Sequence, residues 1–400
     1  MARQSDVKER VEPLLAKGTT ITKVDHLAKL WKGYGSISRI HLDTSKCKEA
    51  DLNQTYIVKM VKTQKEQDLA YDEDHARKVL SYSVEANFYR GFQVNNRVDQ
   101  LFIPDYFAVD VLETKDFLHI VLVLEDLDVL FPVMTEKRET LNDAQVTKAL
   151  DWLANFHASS WSSLGALGID ALGKLESFCP TPRNAIDIAW RGDGLWKQGG
   201  YHYLSTRMKE LESIKLNSRW GKLGLHADSE LPFAVDWCLN NPTDRNRISL
   251  VHGDVKAANM AFDGEDADSM VMYDFQYVGL GLGVQDLAKF LTTSIPESYL
   301  DSPDGEQKLL KQYHTFLLAK ESEVAVKYEY DALMKDWELA LVNWVRFLAG
   351  WSGGFWGNVD WLQNRVEGLL KDKEWVDGVV KRWKEGTEEP GTSKRRRTSK

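Results

Sequence analysis

Two short runs constrain this chain more than any other part of it. Val251–Met260 reads Val-His-Gly-Asp-Val-Lys-Ala-Ala-Asn-Met, and Met272–Gln276 reads Met-Tyr-Asp-Phe-Gln. An Asp followed five residues later by an Asn, on a tight loop, offers one carboxylate and one amide oxygen. A short hydrophobic strand over 270–273 then delivers a second carboxylate, Asp274. Phosphoryl transfer needs this set: a carboxylate at the attacking hydroxyl and oxygen ligands for magnesium beside it. The spacing therefore predicts a kinase, with Asp254 accepting or orienting the proton of the substrate hydroxyl. Asn259 and Asp274 would bind Mg2+ bridging the phosphates of a nucleotide.

Composition is consistent with a large soluble protein. The chain has 400 residues, 43% hydrophobic and 28% charged, enough for well-filled cores. No run approaches the roughly 18 apolar residues of a membrane span, and the N-terminus lacks the apolar core of a secretory signal. Cys47, Cys179 and Cys238 have no metal-like spacing and are too few for a disulfide framework, so a reducing, cytoplasmic compartment fits. The net charge of −9 hides a basic tail of Lys394, Arg395, Arg396, Arg397 and Lys400; without it, 46 Lys and Arg face 60 acids, a balance of −14. Such a body argues against a nucleic-acid partner and suits a cationic small substrate through long-range attraction. The tail reads either as a nuclear import signal or as a solvated basic end.

Residues 1–20 have the spacing of a capping helix, with Val7, Val11, Leu14 and Leu15 on one face. Strands are expected over 36–42, 54–61, 108–112 and 118–124, with a helix over 72–92 inserted after the third strand of an antiparallel sheet. From Asn142 the pattern is nearly all helical apart from strands flanking the His252 loop. The expected organisation is a nucleotide-covering lobe over 1–124, a helical lobe over 125–385 with the catalytic loop and substrate pocket, and a disordered tail over 386–400.

The remaining chemistry-bearing positions have bland readings beside the functional ones. Gly33-Tyr34-Gly35-Ser36 can lie over phosphates, because glycines permit close backbone approach, yet Gly-X-Gly turns are common. Lys59 lies within the apolar strand Tyr-Ile-Val-Lys-Met-Val and needs a partner if buried; Glu85 on the following helix is the natural one, and the bland reading is a snorkelling edge-strand Lys with a solvent-facing Glu. His252 has no second His or Cys at ligand spacing, so it is expected to hold the loop by bonding to backbone near Asp274. Lys256 either neutralises charge on the transferring phosphoryl group or is a plain surface lysine. Asp286 starts a helix, where it is expected to act as an N-cap that braces the catalytic loop.

These residues resemble the aminoglycoside phosphotransferase and choline kinase superfamily, closest to its CHK-kinase-like, or ecdysteroid-kinase-like, branch. The likeness lies in the His-Gly-Asp loop with Asn259, the later Asp-Phe-Gln, and the Gly-X-X-Asp-Leu helix at Asp286. Glu85, Phe88 and Tyr89, Leu124–Leu127, and Leu153–Ala158 add to it, and it spans roughly 30–295. The resemblance implies an α+β, bilobal protein-kinase-like fold: a small antiparallel sheet with one main helix, then a large helical lobe. It also implies that Lys59 binds the α- and β-phosphates of ATP, that Glu85 fixes Lys59, and that the backbone of Leu124, Glu125 and Asp126 meets the adenine. Gln276 stands where protein kinases have Gly.

Asp274 and Asp286 are only 12 positions apart, with no Ala-Pro-Glu between them. Protein kinases place a longer activation segment there, so a small-molecule acceptor is expected: an amino alcohol, a sugar derivative or a sterol-like alcohol. A protein kinase and a catalytically silent nucleotide-binding scaffold are the competing classes. Trp337, Leu341, Trp344, Val345 and Leu348 repeat at helical spacing and read as core. Trp351, Phe355, Trp356 and Trp361, set among glycines and near Asp360, can cage an ammonium group by cation–π attraction. Trp190 and Trp196 are further candidates.

Overall fold

The computed structural model describes residues 4–30, 33–47, 53–64, 72–95, 101–114, 117–135, 138–166, 178–182, 184, 190, 192–226, 228–319 and 328–388. Helix α1 (Gln4–Val11) leads through a short 3-10 turn into the strands β1 (Thr20–Lys29), β2 (Gly35–Asp43) and β3 (Thr55–Gln64). Helix α2 (Glu73–Asn95) follows, then β4 (Tyr106–Glu113) and β5 (Phe117–Glu125). The five strands form one antiparallel sheet in the order β1-β2-β3-β5-β4. The first helix stops earlier than its periodicity suggests, because Pro13 at the 3-10 turn cannot continue an α-helical hydrogen-bond ladder.

Both faces of the sheet are covered, which explains the near-continuous apolar run of β5. Val121 and Val123 pack with Val7 and Val11 of α1, whereas Ile120, Leu122 and Leu124 belong to the core containing Tyr82, Phe88 and Tyr89 of α2. The same period of two sorts β3: Tyr56 and Val58 face α1 and Val61 faces α2. Lys59, two residues before Val61, is thereby turned toward α2 and Glu85. Asp72 caps α2, its side chain accepting the N–H groups of Asp74 and His75 at 3.0 and 3.2 Å.

The rest is mostly helical: α3 (Asp143–Ala166), α4 (Met208–Ser213), α5 (Leu231–Asn240), α6 (Gly283–Thr293), α7 (Glu297–Asp301), α8 (Gly305–Ala319), α9 (Tyr330–Gly350), α10 (Val359–Lys371) and α11 (Lys373–Thr387). Helix α9 is buried nearly all round from Leu333 to Leu348, with Trp337, Leu341, Trp344, Val345 and Leu348 in the core. Between α5 and α6 lie four short strands. β7 (Ser249–Val251) pairs with β10 (Gly279–Gly281), and β8 (Met260–Phe262) lies between β6 (Val133–Met134) and β9 (Met270–Met272). This α+β arrangement is the one the sequence leads one to expect.

One boundary moves. Helix α11 runs through Gly386 to Thr387; Gly386 sits against the Trp237 ring, where a Cβ would come within 2.0 Å. The basic segment Lys394–Lys400 lies outside the described residues. Among the described residues no helix is long and apolar enough to cross a membrane.

Candidate active site

The loop between β7 and β8 is held from beneath. His252 is fully buried and makes the backbone bond expected of it, Nε2 to the carbonyl of Tyr273 at 3.0 Å. Its Nδ1 accepts the N–H of Asp254 at 3.2 Å, which assigns the neutral Nε2–H tautomer. Burial lowers its pKa in keeping with that form. Asp286 accepts the N–H groups of His252 and Gly253 at 2.6 and 2.8 Å, and His157 Nε2 lies 3.1 Å from the same carboxylate. Asp286 is not the N-cap of α6; Leu282 holds that place and the Asp side chain points back to the loop. Gly253 needs to be glycine: its φ is +80° and a Cβ would lie 2.3 Å from the carbonyl of Tyr277.

Asp254 emerges from this loop between two ammonium groups. Lys256 Nζ donates to its Oδ2 at 2.7 Å, and Lys289 Nζ contacts its Oδ1. Burial alone would push this carboxyl up, but the two lysines outweigh burial and hold it at about 2. Lys289 also donates to Tyr201 Oη at 2.9 Å. Asn259 Nδ2 donates to the main-chain carbonyl of Asp254 at 2.9 Å. That bond commits the amide nitrogen and leaves the amide oxygen as the outward group.

Asp274 has left-handed backbone, with φ +71°, a conformation that Asp tolerates better than most residues and that clusters at functional sites. Its Oδ1 accepts from Lys59 Nζ at 3.0 Å and from Gln276 Nε2 at 2.6 Å. Gln276 Oε1 in turn accepts from Lys78 and Ser81 of α2 at 2.9 and 3.1 Å. Lys59 also contacts Glu85, at 2.9 and 2.7 Å to its two oxygens. One ammonium cannot hold both carboxylates equally, and of the two Glu85 is buried while Asp274 is partly exposed. Burial opposes ionisation of Asp274, but Lys59, Lys256 and Lys78 outweigh it and hold the carboxyl far below its usual range. Glu85 has Lys59 as its main partner, and burial pushes it up to about 7. Phe275 is buried between these parts, stacked on Phe88 at 4.0 Å and tilted against His252 at 4.7 Å. It links α2 to the loop.

The nucleotide-side expectations land variously. Gly33 has φ +78° with open space beside its Cα. Gly35 is glycine because a Cβ would meet the Met60 carbonyl at 1.9 Å. Ser36 is buried within the sheet and so does not expose its hydroxyl. Leu124 pairs with both β3 and β4, and the Glu125 N–H is donated to the carbonyl of Asp105 at 2.8 Å. The Asp126 carboxylate is gripped by Arg39 through bonds of 2.6 and 2.9 Å, a bidentate geometry that braces the chain turn after β5.

A cavity of about 370 Å³ opens beside Asp254, lined also by Lys256, Asn259, Lys289, Trp351 and Trp356. Asp360 does not join it: it is exposed in the first turn of α10, because the Gly-rich turn after Trp351 carries the chain past the cavity first. Trp196 is core, its Nε1 bonded to the carbonyl of Gln276 at 2.9 Å, and Trp190 is buried outside the lining. Lys289 and Tyr201 were not singled out from sequence. Lys289 had a signal available: it is the one cation in α6, every residue of which is buried.

Among the described residues no cluster of three or more His, Cys, Asp or Glu forms a self-sufficient metal site. An Asn amide oxygen and an Asp carboxylate are hard oxygen donors, the kind that share Mg2+ with substrate phosphates. Asn259 and Asp274 therefore fit that ion as a partial ligand set.

Comparison with curated proteins returns no match. Matches among solved structures include the amicoumacin kinase hAmiN, 12% identical over 93% of this chain and 94% of that one, with a TM-score of 0.47. A Ralstonia eutropha JMP134 protein described as a putative aminoglycoside phosphotransferase is 11% identical over 95% and 98% of the two chains, also at 0.47. Plasmodium vivax ethanolamine kinase is 11% identical over 91% and 86%, at 0.46. The ecdysteroid kinase-like family matches residues 32–165 and 226–325, more than half of the sequence and the segments that carry Lys59, Glu85, Asp254, Asn259, Asp274 and Asp286. This chain belongs to the ecdysteroid kinase-like family.

Proposed function

We propose that the protein transfers the γ-phosphoryl group of ATP, in the presence of Mg2+, to a hydroxyl of a small metabolite. One observation carries this reading: Asp254, its amide partner Asn259, and Asp274 with the Lys59–Glu85 pair are tied into one bonded unit across the loop, β9 and α2. Lys59 would hold the α- and β-phosphates, and Glu85 would hold Lys59. Asn259 and Asp274 would hold Mg2+, which when bound neutralises charge on the phosphates.

Asp254 would accept the hydrogen bond of the acceptor hydroxyl and aim its oxygen at phosphorus. As the new O–P bond forms and the bond to the β-phosphate oxygen breaks, the hydroxyl becomes acidic and its proton passes to Asp254. A carboxylate held at about 2 is a weak base, so proton transfer would come late and orientation would be its main contribution. Lys256, in contact with Asp254, would meet negative charge on the transferring group. The short stretch from Asp274 to Asp286, taken up by a turn, β10 and the first turn of α6, would leave little chain for a peptide platform, which favours a small acceptor.

The test is incubation of the full chain with labelled ATP, Mg2+ and a library of hydroxylated metabolites. A phosphorylated product that disappears in Asp254→Ala, with nucleotide binding retained, is the expected result. Mg2+-dependent ATP binding without transfer to any acceptor would leave a silent nucleotide-binding scaffold instead.

A further inference from the structure

The aromatic wall beside Asp254 already contains a cation belonging to the chain. Lys289 Nζ lies 4.6 Å from the centre of the Tyr201 ring and 5.9 Å from that of Trp344. Arg207 lies over the neighbouring faces, 5.7 Å from Tyr201 and 5.0 Å from Phe347. The rings continue from there to the cavity: Trp344 stacks on Phe347 at 5.5 Å, Phe347 on Trp351 at 5.7 Å, and Trp351 meets Trp356 edge-on at 5.2 Å. An ammonium ligand is recognised by aromatic faces of this kind. Here Tyr201, which lines the cavity, is engaged by Lys289 and Arg207, both buried side chains of the protein.

The charges lining the cavity point the same way. Arg138, Lys256 and Lys289 are its cations, and Glu139 and Asp254 its acids. Asp254, the acid at the reaction centre, is already contacted by both lysines. A second ammonium entering beside Lys289 would meet like charge in a partly desolvated space. Within the cavity, then, cations outnumber acids three to two, the opposite of the balance over the whole chain.

We propose that Lys289 is a specificity-determining residue that fills the cation–aromatic position itself, so that this cavity takes alcohols without positive charge and excludes ammonium alcohols. The proposal rests on the kinase reading only in naming the cavity an acceptor site; its charge preference can be measured without transfer.

The test uses matched alcohols of one shape, choline against 3,3-dimethylbutan-1-ol and further quaternary-ammonium and tert-butyl pairs. Binding to the full chain is measured with Mg2+ and AMP-PNP present, and occupancy of the cavity is read in soaked crystals. The neutral member of each pair is expected to bind at least about tenfold more tightly. Lys289→Met, which keeps length and removes charge, should erase or invert that ratio, and Lys289→Arg should keep it. Choline binding as tightly as its isostere, an unchanged ratio in Lys289→Met, or no member of any pair entering the cavity would each overturn the proposal. The wild-type ratio decides the sign even if Lys289→Met does not fold. Labelled-ATP transfer is run in parallel. Absence of transfer with the charge preference intact counts against the kinase reading alone, and equal transfer to choline and its isostere counts against Lys289 alone.

Discussion

The two halves of the site are charge-reversed versions of one another. On the sheet side a single ammonium, Lys59, lies between two carboxylates, Glu85 and Asp274. On the loop side a single carboxylate, Asp254, lies between two ammonium groups, Lys256 and Lys289. The centre and one flank of each triad are buried while Asp274 and Lys256 are partly exposed, so neither triad is a plain surface ion pair of negligible worth. Each has one charge in surplus, and the surplus sets what it can receive. In the proposed reaction the Lys59 triad would offer its spare acid to a metal ion, and the Asp254 triad its spare cation to the phosphoryl group or alkoxide.

Substitutions at the centres of the two triads should give the largest and most different effects. Asp254→Ala is expected to lower the rate of transfer by about 10²–10⁴-fold while leaving the ATP dissociation constant within about twofold, as read by labelled transfer and nucleotide titration. Lys59→Met should do the reverse, weakening ATP binding. It should also destabilise the fold by about 3–5 kcal/mol, because Glu85 is left buried without its partner; denaturant unfolding measures this. Equal effects of both changes on nucleotide affinity would remove the division of labour.

Asp286→Ala touches neither triad directly. It orphans the N–H groups of His252 and Gly253, each worth about 1–3 kcal/mol when buried, and is expected to lower stability and transfer together. Glu85→Gln should act through pH. In the native state Glu85 titrates at about 7 against 4.5 for a free glutamate, so between those values the native state holds a proton that the unfolded state has lost. Stability therefore falls as pH rises through that window, and the substitution should flatten this slope in unfolding curves taken from pH 4.5 to 7.5. Asp360→Ala should be silent in transfer and binding, since its carboxylate is exposed and off the cavity.

The sheet triad was more legible in the sequence than the loop triad. Lys59 interrupts an apolar strand, where a lone buried charge is costly; a snorkelling lysine fits that strand as well, and it was the Asp254, Asn259 and Asp274 pattern that favoured Glu85 on the next helix as its partner. The loop spacing from Asp254 to Asn259 was equally plain. Lys289 bears the same signature as Lys59, a charge within Leu-Ala-Lys-Phe-Leu, but its partner is 35 positions away on another element. No local pattern names that partner, nor Tyr201 on an irregular stretch. Asp286 was half legible: it braces the catalytic loop as expected, but not as a helix cap. Its place at the start of a helix suggested a cap, whereas tertiary packing turns the carboxylate back toward two loop amides. Asp360 was grouped with the tryptophans by proximity along the chain, and the glycines between them separate it in space.

The central claim is that Asn259 and Asp274 present their oxygens to one metal–nucleotide complex in front of Asp254. A crystal structure of the full chain with Mg2+ and AMP-PNP tests it most directly. The expected result is a metal ion about 2.1 Å from oxygens of Asn259 and Asp274, with the terminal phosphate facing the Asp254 carboxylate. A nucleotide bound elsewhere, or a metal ligated by neither side chain, would contradict it.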